Sequence, residues 1–250
     1  MNLNFWTQTS GTWVNVLTVL GGTAAGLVLR DSLPTRIRNI IPQSVGLVTL
    51  LIGFTMGREL TVVSAGAVEG IILGLLALVI GGILGEWLNL EYQLERFGNQ
   101  LKRSFQGDSE FTEGFVTASL LFCVGPLALI GGLNNGLQGD NKLLVIKAVM
   151  DGLAAIALTS SYGLGVGFSI VTILLYQGSI SLAAGLLVQF IPDPAQNPAV
   201  LLMTGVGGLM IVGLGFNLLD IARIRVASLL PALLLAPILY QLALAIQGHG

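Results

Sequence analysis

Eight long apolar runs, separated by short polar segments, cover most of this 250-residue chain. A helix needs about 20 mainly apolar residues to cross the roughly 30 Å of hydrocarbon in a bilayer, and most of the runs approach that length. The pattern predicts an all-α membrane protein, a polytopic bundle of about eight transmembrane helices in a single integral membrane domain over residues 1–250. The predicted spans are residues 12–29, 44–58, 66–88, 112–131, 143–162, 165–190, 199–219 and 228–246.

The amino-acid composition agrees with a chain that is surrounded by lipid. Only 10% of the residues are charged, whereas a soluble domain carries about 25%, and the mean hydropathy is +0.86. Glycine is frequent, with 34 residues, and small residues allow membrane helices to approach one another closely. The net charge of −2 and the lack of a basic tail give no indication of nucleic-acid binding. The lipid bilayer is therefore the partner that the composition predicts.

The positions of lysine and arginine predict the orientation of the chain, because cytoplasmic connections carry an excess of both. With the N-terminus outside, eight of the 11 basic residues fall in cytoplasmic connections, and the reverse orientation would place most of the positive charge outside. An even number of spans then places the C-terminus outside as well. The eight residues are Arg30, Arg36, Arg38, Arg96, Lys102, Arg103, Arg223 and Arg225.

The longest connection, residues 89–107, carries apolar residues at helical spacing with charges between them. One interpretation is an amphipathic helix that lies at the cytoplasmic surface of the membrane. The other is a cytosolic extension of the third span. Neither interpretation implies catalysis. The apolar residues are Leu90, Leu94, Phe97, Leu101 and Phe105.

Three glycine-rich segments resemble one another: "LGGTAAGL", "IGGLNNGL" and "VGGLMIVGL". If they mark a repeat, spans one to three and four to six form two units, and the odd number of helices inverts the second unit relative to the first. Spans seven and eight would be a partial third copy. Inverted repeats recur in transporters, whose binding sites lie near the midplane. The alternative is that apolar, glycine-rich helices resemble one another through composition alone. The predicted repeat units are residues 12–88, 112–190 and 199–246.

The segment "CVGPLALIGGLNNG", residues 123–136, predicts a broken helix. Pro126 removes a backbone hydrogen bond and clashes with the preceding turn. Carbonyl groups freed in this way persist in a membrane only where protein buries them or where they line a wet cavity. The alternative is a simple proline kink with a polar outer cap. The residues predicted to break or loosen the helix are Gly125, Pro126, Gly131 and Gly132.

Lys147 and Asp151 lie within an otherwise apolar span, where a charge costs about 2.5–3.5 kcal/mol. Residues four apart on a helix are neighbours, so the two side chains can pair. Lys147 can extend towards the outer surface, whereas Asp151 is deeper. Burial disfavours the charged form of a carboxyl group, so a protonated Asp151 is the alternative to an ion pair. The face of Asp151 continues with small residues, which predicts that it points into the bundle. These residues are Gly152, Ala155 and Thr159.

Three further polar side chains complete the predicted site for a small ion or solute. Gln177 lies near the middle of the sixth span, Asn134 near the outer end of the fourth, and Asn217 at the inner end of the seventh. Asn15, early in the first span, receives no role. The predicted binding residues are Asp151, Lys147, Gln177, Asn134 and Asn217.

Several kinds of chemistry are missing from the sequence. It has no phosphate-binding motif, no metal-ligand cluster and no nucleophile–base pair, so we expect no enzyme, no metal and no cofactor. Intramembrane carboxylate and amide groups instead suit a cation or a proton-coupled solute. The leading prediction is a secondary transporter or channel. The alternative is a non-transporting membrane scaffold or assembly partner, in which the Lys147–Asp151 pair only fixes helix register; a homo-oligomer is left open.

Three long segments resemble the YqgA/YdfK family of bacterial inner-membrane proteins, which is catalogued as a domain of unknown function. They are "CVGPLALIGGLNNGLQGDN", "IKAVMDGLAAIALTSSYGLGVGFS" and "GLGFNLLDIARIRVASLLPALLLAPIL". The resemblance covers essentially the whole chain and is most specific around residues 123–169. It implies a multi-pass protein of the cell inner (plasma) membrane, and a transport label attached to the family implies little chemistry. Characteristic segments contain Pro126, Lys147, Asp151, Gly152 and Asn217, to which the resemblance assigns no roles.

Overall fold

The computed structural model describes residues 4–187 and 196–247, and most of these residues are helical. The helices are α1 (Phe5–Gln8), α2 (Ser10–Ser32), α3 (Thr35–Gly57), α4 (Glu59–Val62), α5 (Gly70–Trp87), α6 (Leu90–Ser104), α7 (Phe111–Cys123), α8 (Pro126–Gln138), α9 (Lys142–Tyr162), α10 (Ile170–Leu187), α11 (Pro198–Leu218) and α12 (Pro231–Gln247). Short 3₁₀ helices occupy Gly163–Ser169 and Ala227–Leu229. Strands β1 (Ser64–Ala65) and β2 (Val68–Glu69) form a small antiparallel hairpin.

The helices confirm an all-α, polytopic membrane protein. Within the described residues, six segments are long and apolar enough to cross a membrane, and there are seven if the bent pair α7–α8 is counted as one. One of the six, Lys142–Gly185, contains α9 and most of α10, which the sequence predicted as two spans. The total of eight crossings stays a prediction. The last residues of the sixth predicted span, 188–190, lie outside the described residues.

The helices of the second and third predicted spans begin at positions that differ from the prediction. The apolar run of the second span begins at residue 44, but α3 begins at Thr35, because a helix can continue beyond the apolar run that a bilayer requires. In the third predicted span, 66–88, the hairpin occupies the first residues, and α5 begins only at Gly70. Both differences lie at helix ends, where a hydrophobic pattern gives the weakest signal.

The chain forms two compact units, each assembled from two separate stretches. Unit 1 contains residues 1–45 and 95–192, and unit 2 contains residues 46–94 and 193–250. Neither unit coincides with one of the repeat units predicted from the sequence. The inverted repeat therefore stays a prediction.

In unit 1, α2 and α9 pack along one another as parallel helices. A methyl group added at Gly11 would lie 2.6 Å from Leu144 Cβ, and one added at Gly26 would lie 2.7 Å from Thr159 Cβ. Residue numbers thus rise together along the two helices. Such close approach is possible because these glycines carry no side chain, the packing mode common in membrane helices.

The bend between α7 and α8 also lies in unit 1, and the two helices differ in direction by 61°. Gly125 has φ 158° and ψ 153°, a backbone conformation that is essentially restricted to glycine. Pro126 occupies the first turn of α8, where its missing N–H costs no helical hydrogen bond. Gly131 and Gly132 lie within α8, which continues through them.

Helix α6 belongs in part to unit 1, where its second half and the residue that follows it, Phe105, pack through aromatic rings. The ring of Phe97 lies 5.7 Å from that of Phe115, and the ring of Phe105 lies 4.5 Å from that of Phe168. Gly98 is buried against Phe115 and Thr112 of α7. Both interpretations of the 89–107 connection stay predictions.

In unit 2, the buried helix α11 packs against α5, α12 and the second half of α3. Gly53 lies against Gly208 and Gly46 lies against Gly215, so these stretches of α3 and α11 run antiparallel. A salt bridge of 2.7 Å joins Arg225 to Glu86, which lies in the last turn of α5. Small residues therefore set the packing in this unit as well.

Candidate functional site

The buried ion pair of α9 lies at the centre of the candidate site in unit 1. Lys147 and Asp151 are both 7% exposed, and Lys147 Nζ donates a hydrogen bond to Asp151 Oδ2. One turn of helix separates them, so the local fold of α9 alone brings them together. Removing two charges from water costs several kcal/mol for each ion, and a good geometry recovers only part of it. A buried pair of this kind is therefore weak evidence for stability alone.

Asn15 of α2 connects this pair to a third helix. Its side chain is fully buried, and Nδ2 donates to Asp151 Oδ2 at 2.9 Å and to Gln177 Oε1 at 3.2 Å. The amide orientation follows from the carboxylate, which only accepts when ionised and so requires the NH₂ group rather than the oxygen. Within the described part of the chain, Asn15 Oδ1 is buried without a hydrogen-bond partner. Helices α2, α9 and α10 thus meet at one amide.

Gln177 extends the network along α10 towards the start of α2. Its side chain is 1% exposed, and Nε2 donates to Thr12 Oγ1 at 3.3 Å. Thr12 is itself 1% exposed. The polar network therefore runs from Lys147 through Asp151, Asn15 and Gln177 to Thr12. We refer to these five residues as the polar network.

A second polar cluster lies at the N-terminal end of α2, around the buried side chain of Asn135. Asn135 Oδ1 accepts from Gly11 N at 2.9 Å, and Nδ2 donates to Thr7 O at 2.9 Å and to Ser10 Oγ at 3.1 Å. The first turn of a helix has backbone N–H groups without helical partners, and Asn135 satisfies one of them from α8. This cluster fixes α8 against α2 at Gly11, the residue before Thr12.

Comparison with known protein families assigns the chain to one of them. A family described as "Protein of unknown function (DUF554)" matches residues 10–241. This chain belongs to that family. The match includes every residue of the polar network. No solved structure matches the chain.

Two relatives of similar length support the same assignment. The "Uncharacterized membrane protein YdfK" of Bacillus subtilis (strain 168) is 29% identical over 228 residues, which cover 91% of this chain and 94% of YdfK. The "Uncharacterized protein YqgA" of Escherichia coli (strain K12) is 28% identical over 233 residues, covering 90% of this chain and 94% of YqgA. The family resemblance predicted from the sequence is confirmed, and a multi-pass membrane protein is supported.

The structure brings together three of the five residues predicted for binding in this DUF554 protein: Asp151, Lys147 and Gln177. Asn134 is half-buried, and the neighbouring Asn135 is the residue that contacts α2. Asn217 lies in unit 2, where its side chain bonds both the backbone N–H and C=O of Ile224, each at 2.8 Å. It thereby closes the turn after α11.

Sequence reasoning left Asn15 without a role, although it joins the three helices of the network. A signal for it was present in the sequence. Gly22 and Gly26 follow Asn15 at spacings of seven and 11 residues, which place all three on one side of α2. Small residues likewise follow Asp151 on its face of α9. The small residues of α2 therefore indicate in the same way that Asn15 faces the bundle.

The polar network offers one carboxylate, two amide groups and a hydroxyl as possible ligands, together with a competing ammonium group. Among the described residues, no group of three His, Cys, Asp or Glu side chains is placed to hold a metal ion. Calcium sites use six to eight oxygen ligands that commonly include several carboxylates. A single carboxylate paired with Lys147 instead fits a proton or a monovalent cation.

Proposed function

We propose that this protein is a secondary transporter or channel for a small monovalent cation or for protons, rather than an enzyme. Its path would pass the polar network of unit 1. The observation that carries the proposal is the buried Asp151 carboxylate, which is bonded at once to Lys147 of its own helix and to Asn15 of α2. Ionisable side chains within membrane segments are rare and commonly mark ion or proton pathways.

Lys147 supplies a mechanism for exchange at Asp151. Its ammonium group occupies the position on Oδ2 that a bound cation would take. The flexible stem of lysine can carry the charge towards the surface, which helps a cation or proton to replace it. Asn15 Oδ1, which is buried and without a partner among the described residues, adds an uncharged acceptor at the same place. In this mechanism Lys147 neutralises the empty site, and the cation neutralises the loaded one.

The direction of the path follows from the distribution of basic residues. Most lysine and arginine residues are assigned to the cytoplasmic side when both termini are outside. We therefore propose the cell inner membrane as the location, with the Arg30 end of α2 towards the cytoplasm. The printed name of YdfK supports a membrane location only.

A membrane scaffold is the second candidate. It is favoured by the way in which Asn15 ties α2, α9 and α10 together, since such a network could serve only to fix the helices. A buried pair can be replaced by apolar residues without loss of fold. The two candidates therefore differ in whether the charge of Asp151 is needed for activity.

Replacing Asp151 with asparagine is expected to abolish cation flux while the fold is retained. Asparagine has nearly the same shape but no charge, so it cannot bind a proton or a cation in the same way. Purified protein would be reconstituted in proteoliposomes, and proton flux measured with an internal pH dye, and sodium and rubidium uptake with radioactive tracers. The expected flux of Asp151→Asn equals that of empty liposomes.

Glu69→Gln is the matched control, because Glu69 is an exposed carboxylate in the β2 hairpin of unit 2. It should transport like the wild type. Normal flux in Asp151→Asn would contradict the site, and a wild type that moves none of the three cations would contradict the proposed function.

A further inference from the structure

Three buried hydroxyl groups lie beyond the polar network, towards the Arg30 end of α2. They belong to Thr23, Thr159 and Ser169, which are 4%, 0% and 0% exposed. Each comes from a different element: α2, α9 and the 3₁₀ turn that follows α9. None has a hydrogen-bond partner within residues 4–187 and 196–247. Buried polar groups in proteins are nearly always bonded, to protein or to ordered water.

The hydroxyl group of Thr159 differs from those of its neighbours on α9. Ser160 Oγ donates to Ala157 O at 2.7 Å, and Ser161 Oγ donates to Arg38 O at 2.7 Å. Both serines thus bond backbone carbonyls, as hydroxyls in helices commonly do. Thr159 does not, and its side chain lies on the face of α9 that packs on α2.

Contacts with two glycines place Thr23 against the 3₁₀ turn and Thr159 against α2. A methyl group at Gly167 would lie 2.8 Å from Thr23 Cγ2 and 3.1 Å from its Oγ1, so Thr23 packs on the turn that contains Ser169. A methyl group at Gly26 would lie 2.7 Å from Thr159 Cβ. Gly26 is one helical turn after Thr23, and Ser169 is two residues after Gly167. We refer to Thr23, Thr159 and Ser169 as the hydroxyl layer.

An apolar stretch of the α2–α9 contact separates this hydroxyl layer from the polar network. Thr159 is eight residues beyond Asp151 on α9, about 12 Å of helix rise. Between the two levels, Val19 of α2 and Ala155 of α9 are both fully buried, and Gly22 lies against Ala155. None of these three residues has a polar side chain, so this stretch of the α2–α9 contact is apolar. The two polar levels are thus distinct.

Arg30 lies two helical turns beyond Thr23, near the end of α2. Its guanidinium group bonds Asp108 Oδ2 and Glu110 Oε2, each at 2.7 Å, and its side chain is only 14% exposed. It also lies against Gly163, whose φ of 74° and lack of a side chain leave room for it. Arg30 therefore joins the end of α2, the segment before α7 and the end of α9 in one contact.

We propose that Thr23, Thr159 and Ser169 line a second, hydrated station for the transported cation or proton, and that the cluster of Arg30, Asp108 and Glu110 closes it. This inference rests on the proposed transport function. Hydroxyl groups both donate and accept hydrogen bonds and carry no fixed charge, so they suit water and a cation in transit. The apolar stretch around Val19 then lies between two stations that are reached from opposite ends of α2.

Cysteine labelling tests the station and its closure without any measurement of transport. The starting variant is Cys123→Ala, because Cys123 is the only cysteine. Thr159→Cys is added, and a membrane-impermeant thiol reagent is applied to each side of the membrane in turn. Labelling should be slow, and should rise about tenfold when Arg30→Gln removes the charged hydrogen bonds of the closed state. The rise should occur from one side only.

Leu158→Cys is the matched control, since Leu158 is equally buried, next to Thr159, and apolar. It should stay unlabelled with either residue at position 30. Glu110→Gln provides a milder opening variant if Arg30→Gln fails to fold. Equal labelling rates with and without the opening substitution, or equal labelling of Leu158→Cys and Thr159→Cys, would overturn the inference.

A flux measurement separates this inference from the proposed function. Thr159→Val replaces the hydroxyl with a methyl of similar shape, and it should slow Asp151-dependent flux severalfold. If Thr159→Val has unchanged flux while Asp151→Asn has none, the second station is overturned and the proposed function stands. A wild type without flux, combined with the expected labelling, would overturn the transport function and leave a hydrated layer closed by Arg30.

Discussion

Replacing Lys147 with methionine should lower the free energy of unfolding by about 3–5 kcal/mol, because it leaves the Asp151 carboxylate buried without its counter-ion. The double variant Lys147→Met, Asp151→Leu should recover most of that loss. It removes both charges together, and apolar groups of similar volume are often as stable as a buried pair. Equilibrium unfolding in mixed detergent micelles would measure the three free energies.

Lys142→Met is the control for this series, because Lys142 is exposed at the first turn of the same helix. Its free energy of unfolding should stay within about 0.5 kcal/mol of the wild type. A single Lys147→Met variant as stable as this control would show that the pair is not an ion pair in the membrane.

The same double variant also separates the two candidate functions. A scaffold should keep its function when the charges are gone and the fold is restored. A transporter should regain stability and still lack flux, because the carboxylate that binds the cation or proton is absent. Stability and activity measured on one protein sample thus give different answers for the two classes.

The Gly22→Ala variant should lose about 1–3 kcal/mol of stability and most of its activity. The added methyl group would meet the Gly152 carbonyl oxygen at too short a distance and would lie 3.1 Å from Ala155 Cβ. A backbone carbonyl cannot rotate away as a flexible side chain can, so α2 and α9 must move apart. That movement would also separate Asn15 from Asp151, and the same unfolding and flux assays would detect both effects.

Gly21 provides a control for this experiment at the adjacent position. A methyl group there would have no atom within 4 Å. Gly21→Ala should therefore be neutral, or stabilising by up to about 1 kcal/mol, because alanine is the better helix former. Equal effects of the two substitutions would contradict the close packing of α2 on α9.

The class of the protein and the burial of Asp151 could be inferred from the sequence because both depend on local pattern. Apolar runs are long enough to identify membrane helices, and the small residues after Asp151 mark the face that packs. The partner of Asp151 could not be inferred in this way. Asn15 lies 136 residues away along the chain, and nothing in a hydrophobic pattern tells which helices become neighbours.

Asn134 and Asn135 show a second limit of sequence reasoning. Adjacent residues on a helix point about 100° apart, so a choice between them requires the rotation of the helix about its axis. The break at Gly125 and Pro126 starts a new helix, α8, whose rotation is independent of the preceding α7. The sequence predicted an amide in this turn of the helix, and only the packing of α8 on α2 selects Asn135.

The amide group of Asn15 has a consequence for how α9 and α10 can move. The 3₁₀ turn joins these helices at one end, and a single turn would act as a hinge. Asn15 holds a residue near the middle of each, Asp151 and Gln177, through the two N–H bonds of one nitrogen atom. The helices are therefore held at two points, and a movement of either helix relative to α2 requires one of the Asn15 hydrogen bonds to break.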